Sequence, residues 1–299
     1  MNEMSLTVGA DVNRIAQAYL TLFKPRILGM VIVVTALGFL LAGGSILAAP
    51  LLFAATILGT AMTGAGSCAL NQYIEREEDS LMMRTANRPL PTKFLASENA
   101  LYVGIFLILL GVTILVSQVN LLTGFLALLT AFLYVLVYTP LKKVTWLNTL
   151  VGAIPGALPP VGGWAAVTGS VDPGALLLFL ILFVWQIPHF YSIAWMYRDD
   201  YKRGGFQMLP VIDPTGRRTF GQIVVHCHLL IIVSLFPAWY GLTGMCYVLG
   251  VAAAGAYFLT TGLKLSHTAA YADAKAVLIA SLFYLPTLLI MAVLDVSIG

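Results

Sequence analysis

The stretch NQYIEREEDSLMMRTANRPLP, residues 71–91, concentrates charge in a chain that has little of it. Read as the continuation of a helix, Asn71, Glu75 and Asp79 stand at i, i+4 and i+8 and share one face. Glu78 lies on the flank of that face. Carboxylates this close repel one another, and a helix C-terminus disfavours negative charge, so something positive must offset them. One reading is a solvated charged cap in which Arg76 and Arg84 pair with the acids. The other is a metal-diphosphate site. Two carboxylates and an amide oxygen suit a hard cation such as Mg²⁺, which takes one or two carboxylates, water and substrate phosphate. Arg84 and Arg88 follow in a proline-stiffened loop and suit bidentate phosphate contacts. The position of the acids at the edge of an apolar run favours the second reading, because charge at a membrane boundary is costly and often functional.

Other segments carry similar residue types. YTPLKK (138–143) sets Tyr138 four residues before Lys142. Alone it reads as an interfacial anchor; beside a diphosphate site, Lys142 and Lys143 become candidates for the leaving-group oxygens. YRDDYKRGGFQMLP (197–210) is a second acidic segment, in which Asp199 and Asp200 are candidates for a second metal site. WQIPHFYSIAW (185–195) places His189 directly after Pro188 within an apolar run. An intramembrane histidine is a functional candidate, and its competing role is a hydrogen bond to a neighbouring helix. His226 and His228 read as interface residues. GAIPGALPPVGGW (152–164) puts Gly and Pro inside a span and is expected to break it, forming a cavity wall for a bulky ligand.

The elements that must position these residues are membrane helices. Of 299 residues, 60% are hydrophobic and 10% charged, with a mean hydropathy of +0.91; soluble domains carry roughly 25% charged residues. The fold class is therefore all-α and polytopic. Nine runs are long enough to span at about 20 residues each: 26–47, 50–70, 98–117, 120–138, 146–167, 174–196, 220–241, 244–264 and 275–294. Residues 1–25 form an N-terminal segment without a signal-peptide cleavage pattern, and 26–294 form one transmembrane domain. All sixteen Lys and Arg residues fall on the same side of this alternation. The positive-inside rule makes that side cytoplasmic, with the N-terminus inside, the C-terminus outside and the two long loops, 71–97 and 197–219, cytoplasmic. The net charge of +3 is small and no nucleic-acid partner is expected. Cys68, Cys227 and Cys246 read as small buried hydrophobes, with neither a disulfide framework nor a zinc site.

With these residues in view, the chain resembles the UbiA-type intramembrane prenyltransferases, and within them the branch that farnesylates haem. The carrying motifs are NQYIEREEDSLMMRTANRPLP, YTPLKKVTWLNTLVGAIPGALPP and WQIPHFYSIAWMYRDDYKRGGFQMLPV. Asn71, Glu75 and Asp79 fill the family's N-x-x-x-D-x-x-x-D motif, with Glu for the first Asp; Tyr138 and Lys142 fill its Y-x-x-x-K. The second acidic motif, D-x-x-x-D, is incomplete, since Arg203 follows Asp199 and Gly204 follows Asp200 at that spacing. The W-Q-x-P-H-F segment separates the haem branch from quinone-forming relatives.

The resemblance implies Mg²⁺ as cofactor, held by Asn71, Glu75 and Asp79, and a diphosphate held by Arg84, Arg88, Tyr138, Lys142 and Lys143. It implies farnesyl diphosphate and haem B as substrates, haem O and diphosphate as products, and His189 as a haem-binding residue, since imidazole suits haem iron. It further implies a bacterial inner-membrane location in the lipid bilayer, an active site facing the cytoplasm, and hand-over of product to haem A synthase or terminal oxidase assembly. Two alternatives stay open on the residues alone. A prenyltransferase acting on a quinone precursor would share the diphosphate machinery. A transporter of an anionic or isoprenoid substrate would show polar groups through the midplane or paired broken helices, whereas these charges collect on one face.

Overall fold

The computed structural model describes the backbone of residues 2–298 and the side chains of residues 13–292, 294 and 295. The described residues form helices without a strand: α1 (Asn2–Phe23), α2 (Pro25–Leu41), α3 (Pro50–Ile74), α4 (Arg76–Leu81), α5 (Ser97–Gln118), α6 (Leu121–Phe132), a π-helical turn (Leu133–Tyr138), α7 (Thr139–Leu141), α8 (Asn148–Thr168), α9 (Pro173–Met196), α10 (Arg198–Arg203), α11 (Leu209–Ile212), α12 (Arg217–Trp239), α13 (Met245–Thr268) and α14 (Tyr271–Ile298). Among the described residues, eight helices are long and apolar enough to cross a membrane. The bent pair α1–α2 supplies the ninth crossing when counted as one span.

The expected spans match these helices closely, except the first. Its apolar run extends to residue 47, but α2 ends at Leu41 and turns follow. At its start the chain bends by 52° between Phe23 and Pro25. Proline disfavours the helical conformation in the residue before it. Lys24 leaves the helical region for left-handed backbone angles (φ 52°, ψ 64°), and Pro25 opens α2 at a position that needs no N–H donor. The N-terminal segment carries α1 as far as Phe23. Ala18 and Leu22 of α1 are buried against Ala69, Leu90, Leu95 and Ala100.

Small residues set the closest helix contacts. A Cβ on Gly66 of α3 would sit 2.5 Å from the Gly104 carbonyl of α5, and one on Gly111 would sit 2.6 Å from the Gly59 carbonyl. Such small residues let membrane helices approach closely and gain dispersion contacts. The same reason corrects one expectation. α8 runs unbroken through Pro155, Pro159 and Pro160 and does not form a broken cavity wall. Its Gly156 abuts Gln186 of α9, its Gly163 abuts the Thr35 carbonyl of α2, and its Pro160 carbonyl abuts Gly38. These residues serve close packing on two neighbours.

Two helices end in the same way. α3 stops at Glu75 (φ −93°, ψ 10°) and resumes as the six-residue α4. α9 stops at Tyr197 (φ −114°, ψ 24°) and resumes as the six-residue α10. Both breaks lie at one end of the bundle, and the segments beyond them form a shared cap. Met82 packs with Ala194, Phe206 and Met208. At the other end the two remaining carboxylates are structural. Asp172 caps α9 and accepts from Trp164 Nε1 at 3.0 Å, and Asp295 accepts from the Gly244 and Tyr247 amides at the start of α13.

Candidate active site

Asn71, Glu75 and Asp79 are all buried and share a side of the chain, as their spacing predicts. The i to i+4 backbone bonds persist through the break: Glu75 N donates to Asn71 O at 3.0 Å and Asp79 N donates to Glu75 O at 2.8 Å. Each side chain meets a base from elsewhere in the chain. Lys24 Nζ donates to Asn71 Oδ1 at 2.5 Å. Lys142 Nζ donates to Glu75 Oε1 at 2.7 Å. Arg88 Nη1 donates to Asp79 Oδ2 at 2.7 Å, and Lys143 pairs with Glu78. The other oxygen of Glu78, Oε2, is buried without a hydrogen-bond partner.

The local sequence explains why these groups converge. The π-turn precedes Pro140, which cannot donate to the helix ladder, and π-turns of this kind recur at functional sites. It aims Thr139 at α3. Asn71 Nδ2 donates to Thr139 Oγ1 at 3.0 Å, and that hydroxyl donates to Tyr134 O at 2.8 Å. The Lys142 ammonium lies 4.7 Å from the centroid of the Tyr138 ring. Burial alone would lower the pKa of Lys142, but the adjacent Glu75 carboxylate outweighs it and holds the amine above its ordinary range. On the other side, Gln72 Nε2 donates to the carbonyls of Thr21 and Leu22 at 3.0 and 2.9 Å. These bonds fix the α1–α2 break beside α3 and so place Lys24.

Of the two arginines in the charged-cap alternative, Arg76 alone pairs with an acid among the described residues. Arg76 pairs with exposed Glu77 and stacks on Tyr73. The Arg84 side chain pairs with no acid among the described residues. Its guanidinium lies over the rings of Tyr197 and Tyr201, at 5.0 and 5.6 Å. Lys24 was read only as a topological charge. The signal for it was its place before Pro25, which forces a kink; the identity of its partner is not visible locally.

The second acidic segment divides. Asp199 is exposed. Asp200 is buried, pairs with Arg203 and accepts from Met83 N at 3.1 Å. Burial would raise its carboxyl, but Arg203 and the Met83 and Arg84 amides hold it below its usual range. Asp200 therefore latches the two loops together, and Tyr201 supports Arg84.

Away from this cluster, His189 Nδ1 lies 2.7 Å from Ser281 Oγ on α14, and its ring stacks on Trp185 with centroids 4.9 Å apart. The hydrogen bond to a neighbouring helix is thus present at one ring nitrogen. Among the described residues, His226 and His228 bond to carbonyls of their own helix. Cys68 and Cys227 are buried as expected, but Cys246 is exposed because it lies at the start of α13. A cavity of about 490 Å³ lies at the opposite end of the bundle, against Trp164, Tyr247 and Asp295, and does not adjoin the acidic cluster.

Among the described residues no three His, Cys, Asp or Glu side chains converge as a ready-made metal cage. The basic partners hold the acids apart. The donor set nonetheless fits Mg²⁺, which favours one or two carboxylates with water and substrate phosphate over an all-protein cage. The unpartnered Glu78 oxygen also marks unmet demand for positive charge. Three carboxylates face four bases, leaving one surplus positive charge. An alkyl diphosphate carries about three negative charges. Its arrival would reverse the balance to about minus two, and one divalent cation would restore neutrality.

Among the described residues, a helical bundle with eight candidate crossings, or nine counting the bent pair, and a paired acid–base cluster at one mouth defines an integral membrane protein of the UbiA fold. The chain belongs to the UbiA prenyltransferase family, which matches residues 31–289. It is 45% identical over 240 residues to a protoheme IX farnesyltransferase from Solibacter usitatus, covering 80% of this chain and 82% of that one. It is 44% identical over 283 residues to a protoheme IX farnesyltransferase from Salinibacter ruber, covering 93% and 98%. Two solved structures share the fold. A digeranylgeranylglyceryl phosphate synthase superposes with a TM-score of 0.76 at 17% identity, covering 94% of this chain and 98% of that one. A UbiA homologue from Archaeoglobus fulgidus bound to DMAPP and Mg²⁺ superposes with a TM-score of 0.60 at 14% identity, covering 94% and 99%.

Proposed function

We propose that this chain transfers the farnesyl group of farnesyl diphosphate to a vinyl group of haem B, with addition of water, giving haem O and diphosphate. The observation that carries the reading is the charge inventory of the cluster: buried acids and a surplus of bases at the mouth of an apolar bundle, where a bound diphosphate leaves an excess of negative charge for a divalent cation to offset. The haem acceptor is supported by the names of the relatives, which are 44–45% identical over most of the chain.

Lys24 binds the diphosphate oxygens as it turns from the Asn71 amide, and Arg88, Lys142 and Lys143 do so as they turn from their carboxylate partners. Arg84, held on two tyrosine rings, is stationed to reach the outer oxygens from the cap. Tyr138 walls the site beside Lys142. Mg²⁺, when bound by Asn71, Glu75 and Asp79, supplies charge neutralisation to the departing diphosphate. The C1–O bond then breaks and its electron pair leaves with the diphosphate, onto a set of preorganised cations. The apolar helix interior keeps water from the allylic cation. The vinyl π pair forms the new carbon–carbon bond to C1. The cation left beside the porphyrin ring takes a water oxygen, which then loses a proton.

His189 positions the haem by ligating its iron. The site faces the cytoplasm of a bacterial cell, because all the basic residues lie at that end, and the product passes to haem A synthase or terminal oxidase assembly. The test is the haem profile of membranes from cells expressing the chain. Appearance of a farnesylated, hydroxylated haem supports the assignment; an unchanged haem pool with a prenylated quinone precursor overturns it.

A further inference from the structure

The W-Q-x-P-H-F segment converges on one residue of another helix. Trp185 Nε1 donates to Ser281 O at 2.8 Å, and His189 Nδ1 lies 2.7 Å from Ser281 Oγ. Ser281 is fully buried on α14. Leu278 O of its own helix lies 2.6 Å from its hydroxyl oxygen and is an acceptor for the single hydroxyl hydrogen. With that hydrogen on Leu278 O, the oxygen facing His189 accepts from Nδ1–H, the tautomer that leaves a bare lone pair on Nε2. Nε2 has no hydrogen bond to any described residue and is not among the sealed, unpartnered atoms. Stacking on Trp185 and edge contact with Phe190, at 4.9 and 5.3 Å, restrict the ring plane.

We infer that Ser281 is a positioning residue that presents His189 Nε2 to the iron of the haem substrate. The inference rests on the reading of His189 as a haem ligand and adds the group that sets its tautomer. Ligating histidines commonly donate their second N–H to a partner, which fixes the ring and raises its basicity; losing such a partner typically costs 10–100-fold in affinity. Without Ser281 Oγ the ring is free to adopt the Nε2–H tautomer, which cannot ligate.

The test titrates haem B into purified full-length protein and its Ser281→Ala, Ser281→Thr and His189→Ala variants, with farnesyl diphosphate binding measured alongside. The ferrous iron–histidine stretch is followed by resonance Raman. Wild type should show that band. Ser281→Ala should bind haem at least about tenfold more weakly, with the band moved to lower frequency and farnesyl diphosphate binding unchanged. Ser281→Thr, which keeps the hydroxyl, should retain the band position. A Ser281→Ala protein with wild-type haem affinity and band position overturns the role of Ser281 and leaves His189 as ligand. Equal weakening toward both substrates makes Ser281 a packing residue and also overturns it. A band absent from wild type, or persisting in His189→Ala, overturns the ligand reading itself.

Discussion

Lys142 Nζ donates to Glu75 Oε1 at 2.7 Å, joining a buried acid to a partly buried base 67 positions apart. The pair ties the α3–α4 break to the end of α7. A buried charge left unpaired costs several kcal/mol, so each acid keeps a base until a ligand replaces it. On the proposed function the pairing is a stored form of the diphosphate site: the same ammonium and guanidinium groups serve the carboxylates first and the leaving group later.

Asn71 and Asp79 are expected to be indispensable for turnover. Asn71→Ala and Asp79→Ala should each lower prenyl transfer by about 100-fold or more, the scale for removing one preorganised electrostatic contact at a developing charge. Both proteins should still insert. Prenyl transfer in purified membranes with excess Mg²⁺ checks this, and near-normal turnover in either variant contradicts the metal assignment.

Lys24 should act on binding of the isoprenoid donor. Its ammonium reaches Asn71 from the α1–α2 break. Lys24→Ala should raise the KM for farnesyl diphosphate by about tenfold or more, matching the roughly 1.5–3 kcal/mol of a charged hydrogen bond. The KM for haem should be little changed. Steady-state kinetics with each substrate varied separately decides it; an equal rise for haem contradicts the assignment.

The Lys142 pair should persist in alkali. Its folded-state pKa is raised above that of a free amine, about 10.4. A raised pKa gives a contribution fully present below the unfolded value, lost only as pH rises through the folded value. Turnover between about pH 7 and about pH 9 should therefore show no fall from Lys142, which remains charged there. Lys142→Arg shares that fixed charge, so the shape of its profile should match wild type over this window. A fall in wild type that vanishes in Lys142→Arg contradicts the pairing.

The topology offers a native probe. Cys246 is exposed while Cys68 and Cys227 are buried. With the cluster inside, Cys246 lies outside and should react with a membrane-impermeant thiol reagent in intact cells. Thr92→Cys, at an exposed position beside the cluster, should react in that background only after permeabilisation. Labelling of Thr92→Cys in intact cells inverts the orientation.

Much of this was legible in the sequence. Spans are set by length and hydropathy, so eight of nine were bounded to within a few residues. The shared face of Asn71, Glu75 and Asp79 follows from helical spacing and survives the break at Glu75. What escaped were relationships that exist only after packing. Lys24 meets Asn71 across 47 positions and Ser281 meets His189 across 92. Asp199 and Asp200 are identical side chains in sequence, and only the docking of α10 on α4 buries one and exposes the other. The Gly and Pro residues of α8 carried a misleading signal, because close packing and helix breaking select the same residue types.

The central claim is the transfer itself, and reconstitution tests it most directly. Purified protein in lipid is given haem B, farnesyl diphosphate and Mg²⁺, and the haem fraction is analysed by mass spectrometry. The account predicts conversion of haem B to a species heavier by one farnesyl group and one hydroxyl group, with one diphosphate released per haem converted and no conversion when Asp79→Ala replaces wild type. Haem B recovered unchanged, while the same preparation transfers farnesyl to a quinone precursor, would contradict it.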